Sequence, residues 1–295
     1  MNFARLASRV AVGGVATALA TAGMVGASTV SASAVPVSTT YSCVTPVGTF
    51  NIPVTVDIAL LPSTAPAGFP VPAGLLSFNS TLTVPNPPAP TLTGLGVTGG
   101  KSDDFGTSFG DAVAKAPVKW DTATTNGDGS VTYSGKGSNA AFVLPEAGTY
   151  SVNMPKQFTL LATNASGATV ASANCTNAAP TAIGSITLSK QKATVKATAK
   201  PKSSAKGATV TVKGKVTNEY VKTGGPEATG KLIVKDGKKK VGKGTLKNGK
   251  FTVKLKGLSV GSHSLTVSYK GDGFTDKGVS SHHGHRHPVV TPRNN

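Results

Sequence analysis

The chain has 295 residues, of which 38% are hydrophobic and 14% charged, with 35 Gly, 19 Pro, two Cys, one Trp and a formal net charge of +18. That length suits about two domains, each able to bury a core without a metal, and two cysteines are too few for a disulfide-dense miniprotein. The low charged fraction argues against a chain disordered throughout, and glycine without a three-residue period excludes collagen.

Residues 1–9 carry Arg5 and Arg9 and no acid, and Val10 to Ala27 is built from Val, Ala, Gly, Leu, Met and two Thr. Ala32-Ser33-Ala34 follows with the small-x-small pattern of a signal peptidase site, so residues 1–34 are expected to be a signal peptide cleaved before Val35. An uncleaved anchor is the competing reading, but the apolar stretch is mostly Ala and Gly and no stop-transfer charge cluster follows it. The two arginines are not adjacent, which favours the general secretion route over the twin-arginine one. No later run is long enough to span a membrane, so a secreted, extracellular or envelope-associated protein with no stable membrane span is expected.

The mature chain divides by charge. Residues 35–180 hold five Lys, no Arg and seven acids, net −2, whereas 181–295 hold 21 Lys, two Arg and five acids, net +18. Two bodies are expected: a first domain at 35–180 and a basic second domain at 183–281, joined through the small-residue stretch from Asn177 to Ile183. The His- and Pro-rich tail at 282–295 has no periodicity and reads as disordered. Both cysteines, Cys43 and Cys175, lie near the ends of the first domain, and an exported chain meets an oxidising compartment, so a Cys43–Cys175 disulfide is expected. A nucleophilic thiol or a metal thiolate is disfavoured because this half contains no histidine.

Both halves read as antiparallel β. In the first, short β-branched runs such as Phe50 to Val56 and Ser80 to Val84 recur between Pro, Gly and Asn clusters. Asn126-Gly-Asp128-Gly, between Trp120 and Tyr133, is hairpin chemistry, and the prolines at 85, 87, 88 and 90 belong to a connection or an edge. In the second half Val210 and Val212, Leu232 and Val234, Phe251, Val253 and Leu255, and Leu265, Val267 and Tyr269 point inward. Lys213, Lys215, Lys231, Lys235, Lys254, Lys256 and Lys270 alternate with them on the outer face. Turn signals at Gly224-Gly-Pro, Asp236-Gly, Asn248-Gly and Gly271-Asp-Gly space these strands as in a β-sandwich.

Thr229 to Gly237, Val241 to Val253, Leu258 to His263 and Val267 to Asp272 together resemble a bacterial immunoglobulin-like (Big-type) repeat domain. The resemblance implies an immunoglobulin-like sandwich acting as a spacer or adhesion module without catalysis. Leu258-x-x-Gly261-x-His263 resembles the tyrosine corner of such sandwiches, with His263 in the place of an aromatic that bonds back to the main chain, and Leu144 to Tyr150 has the same look. The segments from Tyr41 to Cys43, Pro46 to Phe50, Pro62 to Pro66, Phe158 to Leu161 and Asn174-Cys175 are similar to an uncharacterised domain of secreted actinobacterial proteins. The fold class is therefore expected to be all-β, with two β-sandwich domains after the signal peptide.

No catalytic or metal motif of high specificity occurs. Asp57, Asp103, Asp104, Asp111, Asp121, Asp128 and Glu146 are the first half's only acids, and they read as solvated loop and turn residues rather than a glycosidase pair or a calcium loop. Serine-based hydrolysis is disfavoured in the first half, which has no histidine to act as base. His282, His283, His285 and His287 form a tract that reads as a solvated tail, with weak metal chelation as the competing reading. No cofactor and no metal site are expected.

The lysines are the functional hint. Lys213, Lys215, Lys231, Lys235, Lys254 and Lys256, with Lys238, Lys239 and Lys240 in a turn, are candidates for binding anionic cell-wall polymers. Plain solubility and edge protection explain them equally well. Nucleic acid is not an expected partner, because no arginine lies in either folded domain and no aromatic platform interleaves with the lysines. The expected function is that of a non-enzymatic surface or cell-envelope protein. Its alternative is a carbohydrate-binding or glycan-cleaving first domain using the loop acids with Trp120, Tyr133 or Tyr150, and a structural coat component is a third reading. An extracellular glycan or protein partner and the oligomeric state stay open.

Overall fold

The computed structural model describes residues 36–280 apart from 46–47, 59–60, 87, 180 and 203–206. The expected signal peptide, 1–34, and the tail, 282–295, with His282, His283, His285 and His287, lie outside the described residues. The first module contributes β1 (Val37–Thr45), β2 (Gly48–Ile58), β3 (Thr64–Pro66), β4 (Pro70–Val71), β5 (Ser77–Val84), α1 (Ala89–Gly94), β6 (Val97–Ser102), β7 (Gly106–Phe109) and β8 (Ala112–Lys115). It continues with β9 (Val118–Thr125), β10 (Val131–Ser138), β11 (Phe142–Val143), β12 (Gly148–Asn153), β13 (Gln157–Asn164), β14 (Thr169–Thr176) and β15 (Ala182–Ser189). The second module contributes β16 (Thr194–Lys200), β17 (Val210–Thr217), a 3-10 turn at Tyr220–Thr223, β18 (Lys231–Asp236), β19 (Lys239–Thr245), β20 (Lys250–Leu255), β21 (Leu265–Tyr269) and β22 (Gly278–Val279).

The all-β class expected from the sequence is the class observed. In the first module the hydrogen-bonded ladder runs β1-β14-β13-β6-β9-β10-β5-β2 and closes on itself, because β2 pairs back to β1 from Thr45↔Gly48 to Val37↔Val56. The layers anticipated there are thus one continuous eight-stranded barrel. Period-two alternation cannot separate the two arrangements, since a sandwich and a barrel both send every second side chain inward. Closure depends on β1 meeting β14, which it does over Ser42↔Thr176, Cys43↔Cys175 and Val44↔Asn174. The central pair is the disulfide, across a sequence separation of 132.

The barrel interior is packed with rings. Trp120 is fully buried and donates from Nε1 to Ser80 Oγ at 3.1 Å, while its register partners Gly100 and Gly135 leave room for the indole. A Cβ at Gly135 would collide with the Lys119 carbonyl, so this close approach of β9 and β10 requires glycine. Phe105, from the loop after β6, meets Phe158 edge-on at 5.2 Å and Trp120 at 6.2 Å. Tyr41 donates to the Pro155 carbonyl at 2.7 Å, and burial raises its phenol far above the ordinary value. Outward positions such as Asn79, Thr81, Lys119 and Asp121 are polar. That polarity is the reverse of a lipid-spanning barrel. Among the described residues no helix is long and apolar enough to cross a membrane.

The expected hairpin forms between β9 and β10: Asn126 N–H donates to Ser130 O at 2.8 Å, Asp128 Oδ1 accepts from Ser130 N–H at 2.9 Å, and Gly129 takes φ 80°. Pro88 and Pro90 start α1, a short connecting helix. A second sheet, β3-β15-β12-β7-β8, adjoins the barrel with its own apolar cluster around Phe109, Val152, Ile186 and Leu188. The stretch expected as a linker, Asn177 to Ile183, runs straight into β15. That strand pairs with β12 from Gly148↔Leu188 to Asn153↔Ala182, so Ala182–Ser189 is hydrogen-bonded into the first module.

The second module is a sandwich of β16-β17-β20 against β19-β18-β21-β22. Its inward set is the expected one: Val210, Val212, Leu232, Val234, Phe251, Val253, Leu255, Leu265, Val267 and Tyr269 are all buried. The modules touch through Gln191, which is 4% exposed. Its Nε2 donates to the Ala67 carbonyl at 2.5 Å and its Oε1 accepts from Tyr220 N–H at 3.2 Å. Phe69 and Tyr220 meet edge-on at 5.0 Å beside it.

Two outcomes follow. The double variant Cys43→Ala/Cys175→Ala loses about 2–5 kcal/mol of first-module stability in denaturation followed by Trp120 fluorescence, and an unchanged midpoint would show that the three-pair seam closes the ring unaided. Gln191→Ala leaves a carbonyl and an N–H unpaired at a cost of about 1–3 kcal/mol, and calorimetry then resolves two melting transitions displaced from one another.

Candidate functional site

The outer face of the β16-β17-β20 sheet is set by its registers. Lys200↔Thr211↔Lys254, Thr198↔Lys213↔Thr252 and Lys196↔Lys215↔Lys250 form three cross-strand rows, all on the side opposite the buried valines. Six lysines and three threonines therefore make a grid with about 4.8 Å between strands and about 6.7 Å between alternate residues of one strand. None of the three strands contains an acid, and among the described residues none of these lysines has a carboxylate within ion-pair distance. A shallow groove lined by Thr198, Lys200, Thr209, Thr211, Lys213 and Lys254 crosses this face.

The lysines expected from the sequence are divided by the fold. Lys213, Lys215 and Lys254 stand in the grid, and exposed Lys256 follows just beyond β20. Lys231 and Lys235 lie on β18, and Lys238, Lys239 and Lys240 lie at or beside the β18–β19 turn, in the opposite sheet. Sequence reading missed Lys196, Lys200 and Lys250 as members. The alternation Thr194-Val-Lys-Ala-Thr-Ala-Lys200 carried the signal, but its inward residues are mostly alanine and the strand was not read from them.

The first module's candidate groups are dispersed. Trp120 and Tyr133 are 0% and 4% exposed and face the core, so neither offers a stacking surface. Tyr150 donates to the Glu146 carbonyl at 2.8 Å, which is the corner geometry expected of it. For Asp104, burial raises the carboxyl, yet hydrogen bonds from Thr159 N–H and from the Ser102 and Thr159 hydroxyls together hold it below the usual range. Asp128 is lowered by the Ser130 hydroxyl and N–H of its turn. Among the described residues no group of three His, Cys, Asp or Glu could hold a metal.

His263 forms the matching corner in the second module. One ring nitrogen lies 2.8 Å from the Ser259 carbonyl and the other 2.6 Å from Asp236 Oδ2. A carbonyl and a carboxylate both accept, so the arrangement favours the doubly protonated ring, and the Ser259 carbonyl, then Asp236, raise its pKa. Asp236 also accepts from Ser264 N–H at 3.0 Å, so the pair pins the start of β21 to the end of β18.

With this geometry in hand, comparison with known proteins is specific for both modules. Residues 197–283 match the bacterial Ig-like domain, group 3, and residues 40–185 match a family of unknown function, DUF6801. The first module thus carries the match to DUF6801 and the second the match to the bacterial Ig-like domain. No curated protein matches it. A solved structure from Corynebacterium diphtheriae, provisionally described as a membrane-anchored protein, aligns at 15% identity and a TM-score of 0.34 over 88% of this chain. The alignment spans 59% of that structure's length. The Ig-like domain fits a surface protein with an interaction role, and neither matched family is described by a catalytic activity.

The sign of the His263 effect is fixed by its raised pKa. Its contribution to Ig-like-domain stability is complete below the unfolded value of about 6.5 and is lost as pH rises through the higher folded value. Melting curves of the chain between pH 5.5 and pH 8.5 should show the Ig-like transition falling across that window, and Asp236→Asn should flatten the dependence.

Proposed function

We propose that the mature protein is a secreted, non-enzymatic cell-envelope protein whose Ig-like domain is retained on anionic wall polymers by the lysine–threonine grid. The observation that supports this is the arrangement of six unpaired lysines in register on an acid-free sheet face. Like charges set directly opposite one another, as Lys196, Lys215 and Lys250 are, weaken a sheet. Solubility alone asks only for scattered charge. A polymer carrying a phosphate or carboxylate at intervals of several ångströms meets several ammonium groups at once, while the threonine hydroxyls between them donate to or accept from its oxygens. Lysine, unlike arginine, is a point charge with no fixed fork, so the contact is diffuse and ranks polymers by charge density rather than sequence.

Co-sedimentation of the mature chain with purified Gram-positive walls over a salt series tests it. Binding should be strong near 0.01 M salt and nearly absent near 1 M, where the screening length has shrunk to about 3 Å. Replacing Lys196, Lys200, Lys213, Lys215, Lys250 and Lys254 by Gln should weaken sedimentation at low salt at least about tenfold. Undiminished retention of that variant, or binding indifferent to salt, would sink the proposal.

A further inference from the structure

The DUF6801 barrel carries a second basic feature that its composition does not lead one to expect. Residues 35–180 are net negative and hold five lysines. Three of the five, Lys101, Lys119 and Lys136, are direct register partners across β6, β9 and β10. Nothing about barrel stability asks for this row, since like charges opposite one another on one sheet face repel. Compensation is partial: Asp103 lies 3.6 Å from Lys101 and Asp121 lies 3.6 Å from Lys119, both pairs solvent-exposed and therefore weak. Among the described residues Lys136 has no carboxylate within ion-pair distance. Its other register partner is Asn79, and Asp57 follows one strand further on.

Shallow, open depressions flank this row on both sides. A register shift at Ser134/Gly135 breaks the β9–β10 ladder, and an open groove of ≈ 750 Å³ lies there, lined by Asn79, Thr81, Thr122 and Ser134 together with Lys119, Lys136 and the Asp121 carboxylate that pairs with Lys119. A second groove of ≈ 420 Å³, reaching Lys101, Asp103 and Ser138, shares Lys119 and Lys136 with the first. Bulges of this kind re-aim side chains and recur beside binding sites.

We infer that the Lys101–Lys119–Lys136 row is an anion subsite, and that the DUF6801 barrel binds a linear anionic polyol chain, uronate- or phosphate-bearing, laid across the two grooves. The ammonium groups take the anionic substituents, and the amide and hydroxyls of Asn79, Thr81, Thr122 and Ser134 take the neutral hydroxyls between them. The buried positions of Trp120 and Tyr133 leave charge and hydrogen bonding, without ring stacking, as the means of recognition. This site is independent of the Ig-like grid.

The test uses the mature chain with its six grid lysines already replaced by Gln, so that a failure of the wall-retention reading does not affect it. A hexa-uronate, a glycerol-phosphate hexamer and a neutral hexasaccharide are titrated calorimetrically. At least one anionic probe should bind and the neutral one should not, and whichever anion binds tighter identifies the substituent. Lys101→Gln/Lys119→Gln/Lys136→Gln should weaken binding at least about tenfold, the size expected for losing charge-assisted hydrogen bonds. Lys115→Gln/Lys156→Gln, which removes the other two first-domain lysines, should leave it unchanged. Lys136→Gln alone gives a partial loss with an undiminished melting temperature, because that side chain holds no ion pair to lose. Absence of binding to both anions, or equal losses in the triple and control variants, overturns the inference.

Discussion

The constraint on which the DUF6801 barrel depends is the covalent closure of its ring at Cys43 and Cys175. The neighbouring β1–β2 ladder has nine residue pairs, but β1 and β14 meet over three, and the disulfide is the middle one. An open seam would leave two edge strands with unpaired main-chain groups and would admit water to Tyr41 and Phe158, which pack against each other at 4.9 Å beside the bridge. The disulfide also removes a very long loop from the unfolded ensemble, which is where much of its stabilisation arises in the chain-entropy account. Closure lets one tryptophan, flanked by Gly100 and Gly135, fill the interior, and it fixes the registers that set the outward lysines side by side.

The Ig-like domain solves the same closure problem without a covalent bond. Two facing sheets share one apolar cluster, and the return of the chain into β21 is set by a side chain bonding back four residues along the main chain. His263 to Ser259 and, in the first module, Tyr150 to Glu146 are the same device at the same spacing with different chemistry. A tyrosine hydroxyl donates over the whole physiological pH range, whereas an imidazole must hold a proton on the nitrogen that faces the carbonyl. The second corner is pH-dependent because its other ring nitrogen faces the Asp236 carboxylate, so that both bonds are made only by the doubly protonated ring. Gln191, bonded to Ala67 and Tyr220 and buried between the modules, carries this construction from one core to the other.

Much of this was legible in the sequence, for definite reasons. The disulfide followed from cysteine arithmetic, the hairpin from Asn126-Gly-Asp-Gly, and the inward residues of the Ig-like domain from clean alternation of Val, Leu and Phe with Lys and Thr. Barrel closure was not legible, because the pairing of β1 with β14 is a contact over 132 residues that leaves no local mark beyond the cysteines. The place of Ala182–Ser189 was hidden for another reason. The small residues from Asn177 to Ile183 read as a linker, with the second domain expected from 183, and only pairing with β12 makes Ala182–Ser189 a strand of the first module. Trp120 and Tyr133, read as possible stacking faces beside a turn, face inward because the hairpin's register is fixed by β5 and β6 on either side.

The lysine rows show most clearly why register matters more than composition. Counting charge assigns everything basic to the second half, and within it to every strand with an outward lysine. Pairing redistributes that charge: nine positions on β16, β17 and β20 become one grid without acids, while Lys231, Lys235 and the turn lysines fall on the opposite sheet beside Asp236. In the acidic first half, pairing does the converse and gathers three of five lysines into one row. Both arrangements set like charges opposite one another, at Lys196, Lys215 and Lys250 and at Lys101, Lys119 and Lys136, which weakens an isolated sheet. Lys101 and Lys119 each have an acid within reach, whereas among the described residues Lys136 and the grid lysines have none, so the repulsion within the rows is offset at the first two positions and not at the others.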